Sequence, residues 1–256
     1  MPDARKASRM DARFAIVLVA AGAGSRMRMR TPKQYLRIAG RTVLEHAILG
    51  LAQSAEIGWL QPVFAKDDRV GPKILARLQK DLPFRVLPPA VGGNTRAASV
   101  IAGIRALPKR IRWVAVHDAA RPLVSADLLA RVFAAARFHG AAAPGVPVVD
   151  TIKELDARGF VRRTPERARL VALQTPQAAQ RAWFAQAIAT LGELALACTD
   201  DMQMLEMAGF PVFICRGDPN NRKLTTKEDL AWLRRRLSAS AKDSTRTASS
   251  QGARSF

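Results

Sequence analysis

The chain has little cysteine, histidine or tyrosine: two Cys, three His and one Tyr in 256 residues. Cys198 and Cys215 stand in no Cys-x-x-Cys pair, which argues against a disulfide framework or a zinc ribbon. They read instead as small buried apolar residues of a reducing compartment. His46, His117 and His139 lie too far apart in sequence for a local metal motif. No apolar stretch approaches the roughly 20 residues of a membrane span, and the start Met1-Pro-Asp-Ala-Arg-Lys lacks the apolar h-region of a signal peptide. The expectation is therefore a cytoplasmic protein with no membrane partner. Met10 is a plausible alternative start.

Acidic residues are also scarce. Against 41 Lys and Arg stand 21 Asp and Glu, a formal net charge of +20, which suggests an anionic partner, either nucleic acid or a phosphorylated small molecule. The cations gather at one glycine-rich loop, at Arg234-Arg-Arg and at the two ends. They form no stripe interleaved with stacking aromatics, as single-strand binders need. No specific nucleic-acid partner is expected, although nonspecific binding at low salt is.

The composition is otherwise that of a soluble globular chain, with 48% hydrophobic and 24% charged residues. Short apolar runs alternate with amphipathic segments, the pattern of an α/β fold: a Rossmann-like, mostly parallel sheet flanked by helices. Strands are expected at Phe14 to Ala20, Trp59 to Ala65, Phe84 to Leu87, Trp113 to His117, Ala141 to Val146 and Pro211 to Cys215. Helices are expected at Val43 to Gln53, Pro72 to Lys80, Thr95 to Ala106, Ala126 to Arg137, Arg181 to Leu191, Asp200 to Ala208 and Lys227 to Leu237. Pro62 removes a ladder donor from the second strand and makes it the odd member. Residues 148 to 174 break the alternation with a hairpin and a further strand at Leu170-Val-Ala-Leu-Gln, a protruding β-arm for which a second subunit is the natural partner. One α/β domain, 14 to 237, is thus expected between a basic extension (1 to 13) and a Ser/Ala/Thr-rich tail (238 to 256), both disordered.

The apolar run from Phe14 to Ala20 enters Ala21-Gly-Ala-Gly-Ser25, and six basic residues with no acidic one follow from Arg26 to Arg41. Backbone N–H groups at such a turn, with cations beside them, suit a polyphosphate. A dinucleotide loop would need glycine where Met27 stands, and a Walker loop would need Gly-Lys-Ser/Thr, which is absent.

Several separated stretches together resemble the 2-C-methyl-D-erythritol 4-phosphate cytidylyltransferase family of the non-mevalonate isoprenoid pathway. They are Ala20-Ala-Gly-Ala-Gly-Ser-Arg-Met, Pro32-Lys-Gln-Tyr-Leu, Leu44-Glu-His, Gly92-Gly-Asn-Thr-Arg-Ala-Ala-Ser-Val, Val116-His-Asp-Ala-Ala-Arg-Pro, Val149-Asp-Thr-Ile-Lys, Gln174-Thr-Pro-Gln, Thr199-Asp-Asp and Lys223-Leu-Thr. The resemblance implies a homodimer that joins CTP and methylerythritol phosphate with Mg²⁺ and expels pyrophosphate. An anionic nucleophile then attacks an anionic phosphorus, and cations are the remedy for the repulsion.

Under the resemblance, Ala21, Gly22, Ala23, Gly24 and Ser25 cradle the triphosphate, and Arg26, Lys33 and Lys223 are the catalytic cations. Gly92, Gly93 and Ser99 lie at the cytosine, although Ser99 also reads as an ordinary helix residue. Asp118, at the carboxyl end of a buried strand, offers a hard oxygen to Mg²⁺ and the nucleotide; a turn or helix cap is the alternative. Arg121 either braces the loop or approaches substrate. Thr151, Lys153 and Arg167 on the arm, with Thr225, would bind the polyol phosphate, Thr151 and Arg167 in the partner's site. One departure touches substrate choice: the family commonly has Asp where this chain has Asn220. That keeps another alditol phosphate, such as ribitol 5-phosphate, as the rival acceptor. Residues 238 to 256 are too few for the cyclodiphosphate synthase domain of bifunctional relatives.

Overall fold

The computed structural model describes residues 13–22 and 31–238. Nearly all of both end segments, and the Ala23, Gly24, Ser25 and Arg26 assignments, lie outside the described residues. Along the chain run β1 (Phe14–Val19), the small hairpin β2 (Arg37–Ile38) and β3 (Arg41–Thr42), α1 (Val43–Leu51), β4 (Ile57–Phe64), α2 (Gly71–Leu78), β5 (Arg85–Val86), β6 (Ala90–Val91), α3 (Arg96–Ala106) and β7 (Trp113–Asp118). There follow α4 (Ala126–His139), β8 (Ala141–Pro147), the arm hairpin β9 (Glu154–Leu155) and β10 (Val161–Arg163), β11 (Val171–Leu173), β12 (Gln177–Gln180), α5 (Arg181–Leu191), α6 (Asp201–Met207) and β13 (Phe213–Arg216). A last helix, α7, covers residues 227–238.

Nine strands form the main sheet, in the order β11-β8-β12-β7-β1-β4-β5, with β13 beside β8 and β6 beside β4. The β7-β1-β4 centre is parallel, and β12 enters antiparallel between β7 and β8. β1 shows why the sheet is covered on both faces. Phe14, Ile16 and Leu18 pack with α1, α2 and α4 on one side. Ala15 and Val17 pack with α3, α5 and α6 on the other. A continuous apolar run with no polar member is the signature of a strand buried on both faces. A third, smaller cluster joins α7, through Leu230 and Leu233, to Ile38, Val43, Ala120 and Leu224.

Helix starts follow local chemistry. Thr42 and Glu45 form a reciprocal capping box on α1, and Ser125 caps α4. Pro62 is accommodated by register. The Leu60 and Phe64 carbonyls accept from Leu87 and Gly92, so alternate residues of β4 face β5 and β6. Those two short strands pair with residues 59–60 and 63–64 only. The donor that Pro62 lacks would point into the gap between them, where no ladder partner exists.

The arm forms the expected hairpin as a sheet of its own. Val149, Leu155, Phe160 and Val161 on it are 80%, 54%, 67% and 58% exposed, a density of bare apolar surface that a monomer rarely leaves uncovered. β6, β12 and the β2-β3 hairpin are additions to the expected elements.

Helix α3 lies close on the sheet because position 103 has no side chain. A Cβ on Gly103 would overlap Val17 Cγ1 and stand 2.8 Å from Val63 Cγ2. Gly103→Ala should therefore lose about 1–3 kcal/mol to overpacking, despite the roughly 1 kcal/mol that Ala gains in helix propensity. Denaturant midpoints check this; a variant as stable as the parent would show that α3 does not need the close approach.

Candidate active site

The chain leaves β1 for β4 on one side and later returns to β7 on the other. Open α/β sheets leave a crevice at the carboxyl ends of strands where the order switches in this way. Register sets Val19 beside Asp118 there. A cleft of about 370 Å³ lies over this point, lined by Ala20, Ala21, Gly22, Lys33, Gln34, residues 93–96, Ser99, Asp118, Lys223 and Thr225 among others.

Asp118 is at its centre. Arg96 Nε donates to Oδ1 at 3.0 Å and Lys223 Nζ pairs with Oδ2 at 2.6 Å. Burial alone would raise the pKa of this carboxyl, but Arg96 and Lys223 outweigh it and hold it well below the usual carboxylate range. Its side chain caps nothing in the described structure, so the capping alternative loses its support. Arg96 also grips Asp201 with both terminal nitrogens, each at 2.9 Å. Burial opposes its charge, yet the two carboxylates raise its pKa further.

Lys33 sits on a single helical turn (Lys33–Tyr35) whose neighbours fix it. Gln34 Nε2 donates to the Ala20 carbonyl at 2.9 Å, Tyr35 Oη donates to Asp68, and Lys33 Nζ donates to the Leu224 carbonyl at 3.0 Å. Gly92 and Gly93 are needed by the protein's own packing. A Cβ would stand 2.5 Å from Ala21 Cβ at the first and 2.5 Å from Ala98 Cβ at the second. Ser99 Oγ accepts from the Gly93 N–H at 3.2 Å and donates to the Thr95 carbonyl at 3.0 Å, so this serine shapes the loop at the end of the cleft.

Arg121 is buried beneath the cleft, not lining it. Its Nη1 donates to the Asn221 carbonyl at 2.8 Å and Nη2 to the Leu173 carbonyl at 3.4 Å, the bracing of the two roles open in the sequence. Asn221 Nδ2 in turn donates to the Thr175 carbonyl at 2.7 Å, two residues before Lys223. Asn220 is exposed, lines no part of the cleft, and donates its backbone N–H to Asp218 Oδ1. The family departure at 220 therefore lies away from the charged centre. Thr151, Lys153 and Arg167 are exposed on the arm and do not line the cleft; Lys153 Nζ donates to Thr164 and Arg167 Nη1 to the Val149 carbonyl.

Comparison with known proteins agrees with this geometry. Residues 14–237 match the family described as 2-C-methyl-D-erythritol 4-phosphate cytidylyltransferase. The chain belongs to this family. Among curated relatives, the bifunctional enzyme IspD/IspF of Bradyrhizobium sp. (strain ORS 278) is 43% identical over 234 residues, 90% of this chain and 58% of that protein. The chain thus spans little more than half the length of the curated relatives it matches. The 2-C-methyl-D-erythritol 4-phosphate cytidylyltransferase of Thermus thermophilus is similar with a TM-score of 0.69 and 30% identity, over 87% of this chain and 97% of that one. The 4-diphosphocytidyl-2C-methyl-D-erythritol synthase of Anaerococcus prevotii gives 0.76 and 26%, over 89% and 99%. The chain has the mixed, mostly parallel α/β fold of these solved structures.

Two residues that sequence reasoning left without a role, Arg96 and Asp201, form a buried ion pair that reaches Asp118. A signal was present: Arg96 is the first residue of a helix, where the macrodipole disfavours a cation unless an anion compensates. Among the described residues no cluster of three or more His, Cys, Asp or Glu could hold a metal unaided, and no helix is long and apolar enough to cross a membrane.

Beneath Asp118 a buried hydrogen-bond chain fixes one histidine tautomer. His117 Nε2 lies 3.1 Å from the Arg121 carbonyl, which can only accept, so Nε2 carries the proton. Nδ1 then accepts from the Thr175 hydroxyl at 3.0 Å, and the same hydroxyl accepts from the Asp118 N–H at 3.2 Å. Burial lowers the His117 pKa from the usual 6.5 to about 4. Above about pH 6.5 both folded and unfolded chains carry it neutral. As pH falls from 6.5 towards 4, the unfolded chain takes a proton the fold refuses, and stability drops by up to roughly 3 kcal/mol. Unfolding free energies between pH 7 and 4 should show this slope in the wild type and a flatter one in His117→Gln. Equal slopes would contradict a neutral buried His117.

Proposed function

We propose that the chain transfers the cytidylyl group of CTP to 2-C-methyl-D-erythritol 4-phosphate, giving 4-diphosphocytidyl-2-C-methyl-D-erythritol and pyrophosphate. An oxygen of the acceptor phosphate forms the new bond to the α-phosphorus, and the bond from that phosphorus to the bridging oxygen of the β-phosphate breaks. The reading is carried by one observation: an ionised carboxylate, Asp118, between Lys223 and Arg96 in the cleft that Lys33 also lines, in a chain of this family.

The residues fit Mg²⁺. A single ionised carboxylate, completed by phosphate oxygens, is the usual protein share of such a site, and Asp118 is the residue that would supply it. Bound there, the ion would withdraw charge from the phosphate oxygens. Lys33 and Lys223, with Arg26 from the glycine turn, would neutralise charge that builds at the α-phosphorus. The Ala21 to Ser25 backbone would hold the triphosphate, and Gly92, Gly93 and Ser99 the base. Thr225 and the arm residues Thr151, Lys153 and Arg167 would meet the polyol phosphate. The exposed apolar surface of the arm supports a homodimer in which each arm serves the other subunit. Cys198 and Cys215, both free thiols, accord with a cytoplasmic setting.

The direct test follows pyrophosphate release from CTP with methylerythritol phosphate or ribitol 5-phosphate as acceptor. The first should be used at least tenfold more efficiently, a difference of about 1.4 kcal/mol; preference for ribitol phosphate would move the assignment to another alditol phosphate. Lys33→Ala should lower kcat about a hundredfold, roughly 3 kcal/mol, with CTP affinity much less changed. A folded variant with wild-type turnover would remove Lys33 from the chemistry. Mixing inactive Lys33→Ala and Arg167→Ala proteins under exchange should restore about a quarter of wild-type activity, the statistics of a two-fold dimer with sites completed in trans. No recovery despite exchange would mean that each arm serves its own subunit.

A further inference from the structure

Asp201 has no part in the chemistry above, yet it is fully buried, and its surroundings hold it rigidly. It opens α6 directly after the cap residue Asp200, whose Oδ1 accepts from the Met202 and Gln203 N–H groups. Its own N–H donates to Oε1 of the buried Gln177 on β12 at 2.9 Å. Its carboxylate then accepts both Arg96 terminal nitrogens, the fork geometry that fixes a guanidinium plane. Nε of Arg96 then meets Asp118 Oδ1 at 3.0 Å. A buried ion pair is a poor source of stability, because desolvation offsets much of the attraction and apolar replacements often serve as well. What this pair does supply is direction. The Gln177 side chain on β12, the start of α6 and the start of α3 together determine where Asp118 Oδ1 points, while Oδ2 is left to Lys223.

We propose that Asp201 is a positioning residue that acts through Arg96 to orient the Asp118 carboxylate for the divalent cation that accompanies the nucleotide triphosphate. The inference rests on the cytidylyltransferase reading and adds a residue and a route to it. Because Arg96 opens the helix that carries Ser99, the same link ties the loop at residues 92–95 to the phosphate end of the cleft.

The test uses the full chain and calorimetric CTP binding with and without Mg²⁺. In the wild type, Mg²⁺ should tighten CTP binding. In Asp201→Asn that Mg²⁺-dependent gain should shrink about tenfold or more, the usual effect of losing a group that orients a metal-binding carboxylate, while metal-free CTP affinity stays within about twofold. Arg96→Lys, which keeps the charge but cannot fork between two carboxylates, should lose the Mg²⁺-dependent gain in the same way and decides the matter if Asp201→Asn does not fold. In an Asp118→Asn background, Asp201→Asn should have no further effect on the Mg²⁺-dependent gain. A folded Asp201→Asn or Arg96→Lys with the full Mg²⁺ gain, or effects of Asp201→Asn and Asp118→Asn that simply add, would overturn the positioning role. A wild type whose CTP binding ignores Mg²⁺ would overturn the metal reading itself and this inference with it.

Discussion

A buried negative charge in a strongly basic protein organises this molecule. Asp118 is desolvated, and it remains ionised because Arg96 and Lys223 reach it from two separate parts of the chain. Each of the three would be costly to bury alone, and each is acceptable beside the others. The cluster also joins otherwise independent elements: β7 supplies the acid, α3 one cation, and the segment before α7 the other. Any ligand that competes for Asp118 must therefore act on all three at once.

The fold makes that convergence possible. Parallel pairing of β1 with β7 puts Asp118 beside the end of β1, so Ala21, Gly22 and the carboxylate share one rim. The Pro32-Lys-Gln-Tyr segment brings Lys33 back over the same rim by hydrogen bonds from its neighbours, Gln34 to Ala20 and Tyr35 to Asp68. Beneath the rim, the His117–Thr175–Asp118 chain ties the Asp118 backbone to β7 and the segment before β12, and Arg121 holds the Asn221 carbonyl of the segment that carries Lys223. Cations and hydrogen-bond donors held in place before substrate arrives are what phosphoryl chemistry requires of a protein.

Much of this was legible in the letters, for physical reasons. β1 and β7 are apolar at successive positions, which only a strand covered on both faces needs, and the helices carry recognisable caps. The arm was visible as a break in alternation. β12 was not, because Gln177-Ala-Ala-Gln offers neither β-branched residues nor alternation; it becomes a strand only by filling the space between β7 and β8. Asp118 was singled out by its position at a strand end, and Lys33 by the family resemblance together with its place after the glycine turn. The Arg96–Asp201 pair was missed because its members stand 105 residues apart; its local trace was a cation at the start of a helix. Arg121 could be placed only by seeing that Asn221 and Leu173, from two distant segments, accept from it.

The most direct test of this account is a crystal structure of the full chain with CTP and Mn²⁺ in place of Mg²⁺, the metal located by its anomalous signal. The account predicts the metal on Asp118 and the phosphates, the base against Gly92, Gly93 and Ser99, and Arg96 still clasped by Asp201. A metal peak away from Asp118, or a triphosphate bound outside the cleft between Lys33 and Lys223, would contradict it.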